Sequence, residues 1–416
     1  MTIIAAPAGQ AGQGAKAGRR RWPADIRMLM VGTFLVRAFG FTYPFLPYHL
    51  DHLHLNTRTV SCVLAAFGAG WFLGSILCGW LADRIGPRTT LIAAMALASS
   101  ALPLLAQAQT VPGLLAAAFA AGTIYDAPRP VFTAAIAAAF PEDRDRASLN
   151  AWRNFAVNVA AAVAGTAGGL LAGPLGIPAL IWANAAACAL FALLVWHFMP
   201  TAQRESPDTN DPRSAGYQAA FRDPRLWLLL VTSLCALTCA ASLFSSMPML
   251  MAEDGLTASD YGWTQTANAG AVLLLSPILN RWLVARSDRP VPMTALLAAS
   301  SAVLGATMGA AGFASTAAGY SAAAALAVPG EIVVFGAAAD VLNRISPASS
   351  RGLYAGIWGT TLAMAVLLAP TLAGWAITHG GDRLAAVTTF TVGLLGAALA
   401  WLLDHLVRRP RHESSG

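Results

Sequence analysis

The sequence predicts an all-α membrane protein, with twelve transmembrane helices in two pseudo-symmetric six-helix bundles. Three observations lead there. Only 11% of its residues are charged and 56% are hydrophobic, with a mean hydropathy of +0.58, whereas a soluble protein carries about 25% charged residues. Apolar runs of about 20 residues, each able to cross roughly 30 Å of hydrocarbon as a helix, recur along the chain on both sides of one polar linker. Residues also recur across that linker at nearly constant spacing.

Taken in order, residues 1–24 read as a flexible tail. Arg19-Arg20-Arg21 invites a twin-arginine export reading, but the apolar run behind it is too long, contains Arg37 and lacks a small-residue cleavage site. Residues 25–199 form the first bundle, with spans near 26–48, 59–82, 89–108, 112–140, 147–172 and 177–199. The linker, residues 200–223, is rich in Pro, Asp, Arg and Ser. Residues 224–407 form the second bundle, with spans near 224–250, 260–284, 291–313, 316–345, 352–378 and 383–405, and residues 408–416 are a second tail.

Basic residues orient the chain. Of 26 Lys and Arg, Arg37 and Arg129 lie within spans, and Arg58 and Arg383 fall in loops of one side. All the others sit in the tails or the alternate loops, which places both termini and the linker in the cytoplasm of a multi-pass protein of the inner (plasma) membrane. Their scatter between apolar runs excludes nucleic acid as a partner; the lipid bilayer is the surrounding partner, and the chain reads as a monomer. The five cysteines all fall in apolar segments and read as small packing residues, without a disulfide or a metal site.

The centre of the chain's chemistry is Asp126-Ala127-Pro128-Arg129-Pro130, set in an apolar run from Val111 to Phe140. An unpaired Asp or Arg at mid-membrane costs roughly 2.5–3.5 kcal/mol, so charge here points to function. Asp126 and Arg129 are three apart and share a helix face. Pro128 and Pro130 strip the amide protons owed to the carbonyls of Ile124 and Asp126, so that face must meet protein or a water-filled cavity. An offset of 205 carries Asp126 onto Glu331, Arg146 onto Arg351 and Gly169 onto Gly374, and an offset of 197 carries Arg84 onto Arg281. Two such repeats imply a site near the midplane between them, reached by rocking one half against the other.

After the second span the chain reads Gly79-Trp80-Leu81-Ala82-Asp83-Arg84-Ile85-Gly86-Pro87-Arg88. This resembles the G-x-x-x-D-R-x-G-x-R loop of the major facilitator superfamily (MFS). A tight turn there needs Gly86, and Asp83 can face a helix N-terminus or arginines when the gate closes. The second-half copy has Asn280 where the first has Asp83, so the first half carries the gating motif of Gly79, Asp83, Arg84, Gly86 and Arg88. Within that superfamily the chain resembles the drug:proton antiporter branch, on Arg37-Ala38-Phe39-Gly40 with Pro44-Phe45-Leu46-Pro47, on Asp126-Ala127-Pro128-Arg129, and on Gly330-Glu331. The branch's fifth-span G-P-x-x-G-G is here Ala164-Gly165-Thr166-Ala167-Gly168-Gly169, its proline appearing only in the second half at Pro370.

The resemblance implies proton-coupled export of small amphipathic compounds by alternating access. Asp126 and Glu331 are the candidate proton carriers, since a carboxyl gains or loses a proton as desolvation and a neighbouring guanidinium change. Arg37 and Arg129 are their candidate partners. A static ion-pair network joining the first and fourth spans is the alternative reading of the same charges. Tyr43, Trp71, Tyr125, Trp263 and Trp358 are candidate walls of the substrate cavity. On the outer side His49, Asp51, His52 and His54 crowd one short loop at a density that could bind a transition metal, although exposed loop histidines usually bind nothing, and no metal is assigned. No Walker loop, HExxH or GxSxG occurs, so neither a cofactor nor enzymatic chemistry is expected. An importer or symporter of a polar or anionic nutrient is the rival on the same scaffold, and a non-transporting membrane receptor the rival from another class.

Overall fold

A computed structural model of the protein describes residues 24–125, 143–199, 220–287, 292–347 and 350–408. Every regular element among the described residues is helical. The first group comprises α1 (Ala24–Ala38), α2 (Thr42–His52), α3 (Thr57–Ile85), α4 (Pro87–Gln107), α5 (Val111–Tyr125), α6 (Asp143–Leu175) and α7 (Ile177–Phe198). The second comprises α8 (Pro224–Ala241), α9 (Ser246–Glu253), α10 (Ala258–Ser287), α11 (Met293–Ala310), α12 (Ala317–Ile345), α13 (Arg351–Gly359) and α14 (Thr361–Arg408). Nine stretches among the described residues are long and apolar enough to cross a membrane, and Val111–Ile124 is a shorter apolar helix.

Helix ends follow local chemistry. Asn56 caps α3 by accepting from the Thr59 amide at 2.8 Å, and Asp223 caps α8 from Arg225 at 2.9 Å with Pro224 in the first turn. Gly86 joins α3 to α4 at φ 87°, a conformation an L side chain rarely adopts, and Pro87 then opens α4.

Three expected spans are not single helices. The first breaks at Phe39–Phe41 into α1 and α2 and runs on to His52. The seventh breaks at a 3-10 turn, Ser242–Phe244, between α8 and α9. The eleventh breaks between α13 and α14, and α14 itself turns at Gly380 and Gly381, the latter at φ 63°, between the expected spans 352–378 and 383–405. The expected histidine loop also needs correction. Helix α2 extends through His52, so that His49 turns inward, 4% exposed, while Asp51 and His52 remain outside. Among the described residues no three His, Cys, Asp or Glu side chains gather as a metal-binding group.

The helices run between two faces. The distal face carries the turns at His52–Thr57, Glu253–Ala258 and Gly380–Asp382. The proximal face carries Gly86, Pro292 and both ends of the described chain, Ala24 and Arg408. Within the first group α3 packs on α5, α4 on α7 and α1 on α6; within the second, α14 packs on α8 and α11, and α10 on α12. Across the groups, α6 meets α10, α3 meets α14 and α2 meets α9.

Lipid supplies no hydrophobic drive for helix pairing, so small residues that let backbones touch carry it. At the α11–α14 crossing, a Cβ built on Gly393 would stand 2.5 Å from the Gly305 Cα and 2.8 Å from the Ser301 carbonyl oxygen. Gly393→Val should therefore destabilise the protein by about 1–3 kcal/mol or more, read as a lower thermal unfolding midpoint in detergent. Gly270→Ala, where an added Cβ meets nothing within 4 Å among the described residues, should hold that midpoint or raise it slightly, because alanine loses less backbone freedom in a helix.

Candidate functional site

A cavity of about 310 Å³ lies between the two groups of helices. Its walls are mostly apolar, from Leu237, Phe244, Val272, Phe335, Leu362 and Val366, and its polar anchors are few. Arg37 enters from the end of α1, Asn158 from α6, Gln265 and Asn268 from α10 and Glu331 from the middle of α12. An apolar chamber with sparse, convergent polar groups is the usual build of a small-molecule site.

Breaks in the helices place several of these groups. The α1–α2 break sets Arg37, Gly40 and Pro44 on the wall, and the 3-10 turn between α8 and α9 does the same for Leu243 and Phe244. Pro329 lies inside α12 two residues before Glu331. The Asn268 Nδ2 donates to Glu331 Oε1 and to the Ala324 carbonyl, each at 3.2 Å.

Of the residues singled out in the sequence, Arg37, Glu331, Tyr43 and Trp71 meet in this cavity. Tyr43 is 4% exposed, stacks on Phe67 with centroids 5.0 Å apart and takes Trp71 edge-on at 6.3 Å. Two expected wall residues fall elsewhere. Trp263 is 54% exposed and outside the lining, because its position on α10 is one turn from the distal end and off the face that carries Gln265 and Asn268. Trp358 lies behind the wall, donating from Nε1 to Ser233 Oγ at 3.0 Å and meeting the lining residue Phe335 edge to face. Asp126 and Arg129 lie outside the described residues, as do the side chains of Tyr125 and Asp83, whose backbones are the last residue of α5 and part of α3.

The Gly79–Arg88 motif sits at the proximal face. Arg84 stacks over the Trp80 ring at 4.4 Å, and Arg88 Nη2 donates to the Trp196 carbonyl at 2.6 Å, tying the start of α4 to the end of α7. Among the described residues nothing lies within 4 Å of a Cβ built on Gly79. Asn158, Gln265 and Asn268 were not anticipated. Their signal was available, since amides are costly inside apolar spans unless bonded, and Gln265 and Asn268 sit three apart on one helix face.

At its distal rim the cavity is closed by contacts between the groups. Tyr261 is fully buried between Phe45 and Tyr48, with centroids 5.5 and 5.7 Å away, and accepts from Gln265 while donating to the Leu243 carbonyl. Thr166 and Thr266 share a hydrogen bond of 2.8 Å, and Thr57 donates to Glu253 at 3.0 Å. Gly169 and Gly262 meet backbone to backbone on α6 and α10, and Gly374 presses on Ser61 where α14 crosses α3. Gly169 and Gly374, matched in the sequence by the offset of 205, thus both sit where one group crosses the other.

Among the described residues every regular element is helical, nine stretches can cross a membrane and a polar-anchored chamber lies between the two groups of helices, the build of a multi-pass membrane transport protein. The model of the Major Facilitator Superfamily matches residues 29–341 and 233–416, and the chain belongs to that superfamily. It is 21% identical over 406 residues to the uncharacterized MFS-type transporter YttB of Bacillus subtilis (strain 168), covering 94% of this chain and 98% of that one. It is also 28% identical over 202 residues to human solute carrier family 67 member A1, covering 45% of this chain and 44% of that one. Among solved structures, a POT family transporter in complex with 5-aminolevulinic acid superposes with a TM-score of 0.79 at 13% identity, covering 94% and 98% of the two chains. Another, with a thioalcohol-conjugated peptide, gives 0.78 at 13%, covering 92% and 96%. At that identity the likeness is one of fold.

The glycine seam yields a prediction about access. A Cβ on Gly262 would stand 2.5 Å from the Gly169 Cα, so Gly262→Val should part α6 from α10 and open the distal rim. An Ala269→Cys probe in the cavity, added to a background without native cysteines, should then react faster with an impermeant maleimide applied at the distal face. The gain should be about tenfold for each ~1.4 kcal/mol of seam energy removed.

Proposed function

We propose that the protein is a proton-coupled exporter of small amphipathic compounds, of the drug:proton antiporter type, working by alternating access. The observation that carries this reading is the position of Glu331, an acid at the midpoint of a membrane-crossing helix, in an apolar chamber that it shares with Arg37 from the other group. A static structural acid would be met by a permanent cation. Among the described contacts of Glu331 the partner is a neutral amide, Asn268, which leaves the carboxyl able to exchange a proton or meet a cationic part of a ligand.

In this reading the chain crosses the membrane twelve times as two six-helix bundles, as a monomer, with both termini at the cytoplasmic side of the plasma membrane. The proximal face is then cytoplasmic, and the distal seam of Tyr261, Thr166–Thr266 and Gly169–Gly262 is the closed outer gate of an inward-facing state. Asp126 and Glu331 load protons from outside and release them inside, with Arg37 and Arg129 as alternating partners. The motif of Gly79, Asp83, Arg84, Gly86 and Arg88 closes the cytoplasmic side in the opposite state. Aromatic and aliphatic walls suit amphipathic cargo.

A second reading, an importer of a polar or anionic nutrient, is favoured by one observation: the solved structures it superposes on include POT family transporters holding a peptide conjugate or 5-aminolevulinic acid.

Purified protein in proteoliposomes separates these readings. Adding a transported lipophilic compound should release protons from the wild type, and an inward proton gradient should drive that compound outward. Glu331→Gln and Asp126→Asn should insert normally while losing proton-driven transport by roughly tenfold or more, the scale of ~1.4 kcal/mol in the coupled step. Normal coupled transport by both variants would refute the assignment, and gradient-driven uptake of a polar solute would establish the importer.

A further inference from the structure

Proline has no amide proton, and its ring crowds the carbonyl one turn back. Pro329 therefore leaves the hydrogen-bond ladder of α12 weakest in the turn that holds Ala324 and Ala325, just distal of Glu331. Asn268, on α10, spans that weak point. A carboxamide nitrogen carries two protons, and here it has two acceptors, the Ala324 carbonyl before the proline and the Glu331 carboxyl after it, each at 3.2 Å. Asn268 is only 8% exposed, so water competes little for either bond.

The two arms differ in kind. The carbonyl of Ala324 is a constant acceptor, whereas Glu331 is an acceptor whose charge changes. A hydrogen bond to an ionised group is roughly twice as strong as one between neutral groups. Neutralising Glu331 thus weakens one arm and leaves the other intact. We propose that Asn268 is a positioning residue that transmits the charge state of Glu331 to the bend of α12 at Pro329. With Glu331 ionised, α10 grips α12 on both sides of the proline. With Glu331 neutral, the grip beyond Pro329 loosens and the proximal half of α12, which carries the cavity residue Phe335, swings. This rests on the reading of Glu331 as a proton carrier.

Other charges facing Glu331 among the described residues are few. Arg37 shares the cavity from α1. On α10 the nearest ionisable side chains, Tyr261 and Arg281, are about two turns or more from Asn268, α11 carries none, and α8 brings the thiols of Cys235 and Cys239. Helices α9 and α13 meet α12 toward its ends, where Asp254 accepts from Tyr320 at the distal side and Tyr354 lies at the proximal side.

The bend is measurable by spin labels at Leu326→Cys and Asn343→Cys, both exposed positions that flank Pro329, in reconstituted protein without native cysteines. The wild type should show a label-to-label distance that changes with pH. Glu331→Gln should fix it at the acidic value. Asn268→Leu should make it independent of pH although Glu331 is present, whereas Asn268→Gln, which keeps both donors, should restore part of the response. Should Asn268→Leu not insert, Asn268→Ser carries the same expectation in smaller measure. A wild-type distance that ignores pH, or an Asn268→Leu distance that follows pH as the wild type does, overturns the role of Asn268. A pH response retained in Glu331→Gln instead overturns the reading of Glu331.

Discussion

A bilayer's interior offers no water to hydrogen-bond, and nearly every feature of this chain follows from that deficit. Backbone groups must be satisfied within helices, so a break in a helix is tolerated only where protein or a wet cavity receives the freed groups. The interruptions obey this. The one between α1 and α2 lies beside Arg37 and Gly40 on the cavity wall, and that between α8 and α9 puts Leu243 and Phe244 on the same wall. The proline of α12 stands next to Glu331 and has its disturbed turn bonded by Asn268. Irregular backbone thus gathers at the chamber, and the chamber's geometry is a consequence of it.

The same deficit sets how the helices hold together. With lipid as apolar as leucine, contact depends on close backbone approach and modest hydrogen bonds of roughly 0.6 kcal/mol each on average. Within the second group, Gly305 meets Gly393 and Ser301 donates to the Gly393 carbonyl at 2.9 Å. Between the groups, Gly169 meets Gly262 with the Thr166–Thr266 pair beside them. One device therefore serves both jobs. Inside a group it backs crossings such as α14 on α8 and α11, and between the groups it backs the equally long crossings of α6 on α10 and α3 on α14, with the tips α2 and α9 meeting beside them. A seam built from individually weak contacts is one that can part piecewise without unfolding either side.

The helical class and the superfamily were legible because hydrophobic length and the Gly79–Arg88 motif are local signals. So was the place of Glu331 on the chamber wall, since a carboxylate in the middle of a 29-residue apolar helix stands out in composition. What was not legible depended on rotation and on breaks. Trp263 shares α10 with Gln265 and Asn268, and helix phase decides which of them faces the chamber. His49 was expected in a loop with Asp51, His52 and His54, but Pro47 is accommodated inside α2, and one more helical turn carries His49 inward. Trp358 fails for a third reason: its indole proton needs an acceptor, and Ser233 supplies one behind the wall instead of in it.

The amides show where composition misleads most. A charge in a span announces itself through its cost, whereas the smaller cost of Asn158, Gln265 and Asn268 makes a fainter signal. Yet a neutral donor is the group best suited to sit beside an acid that must change its charge. A guanidinium in that place would lock the carboxylate in one form, and an apolar side chain would leave the ionised form with no bond at all. The carboxamide of Asn268 bonds the Glu331 carboxyl at 3.2 Å, a bond that either charge state can accept. Because its second proton is committed to the backbone at Ala324, any change in the first bond falls on a helix already weakened by proline. With Glu331 as the proposed proton carrier, charge and shape are joined by one side chain, which is what a protein needs if a proton taken up on one side of a membrane is to alter which side the chamber faces.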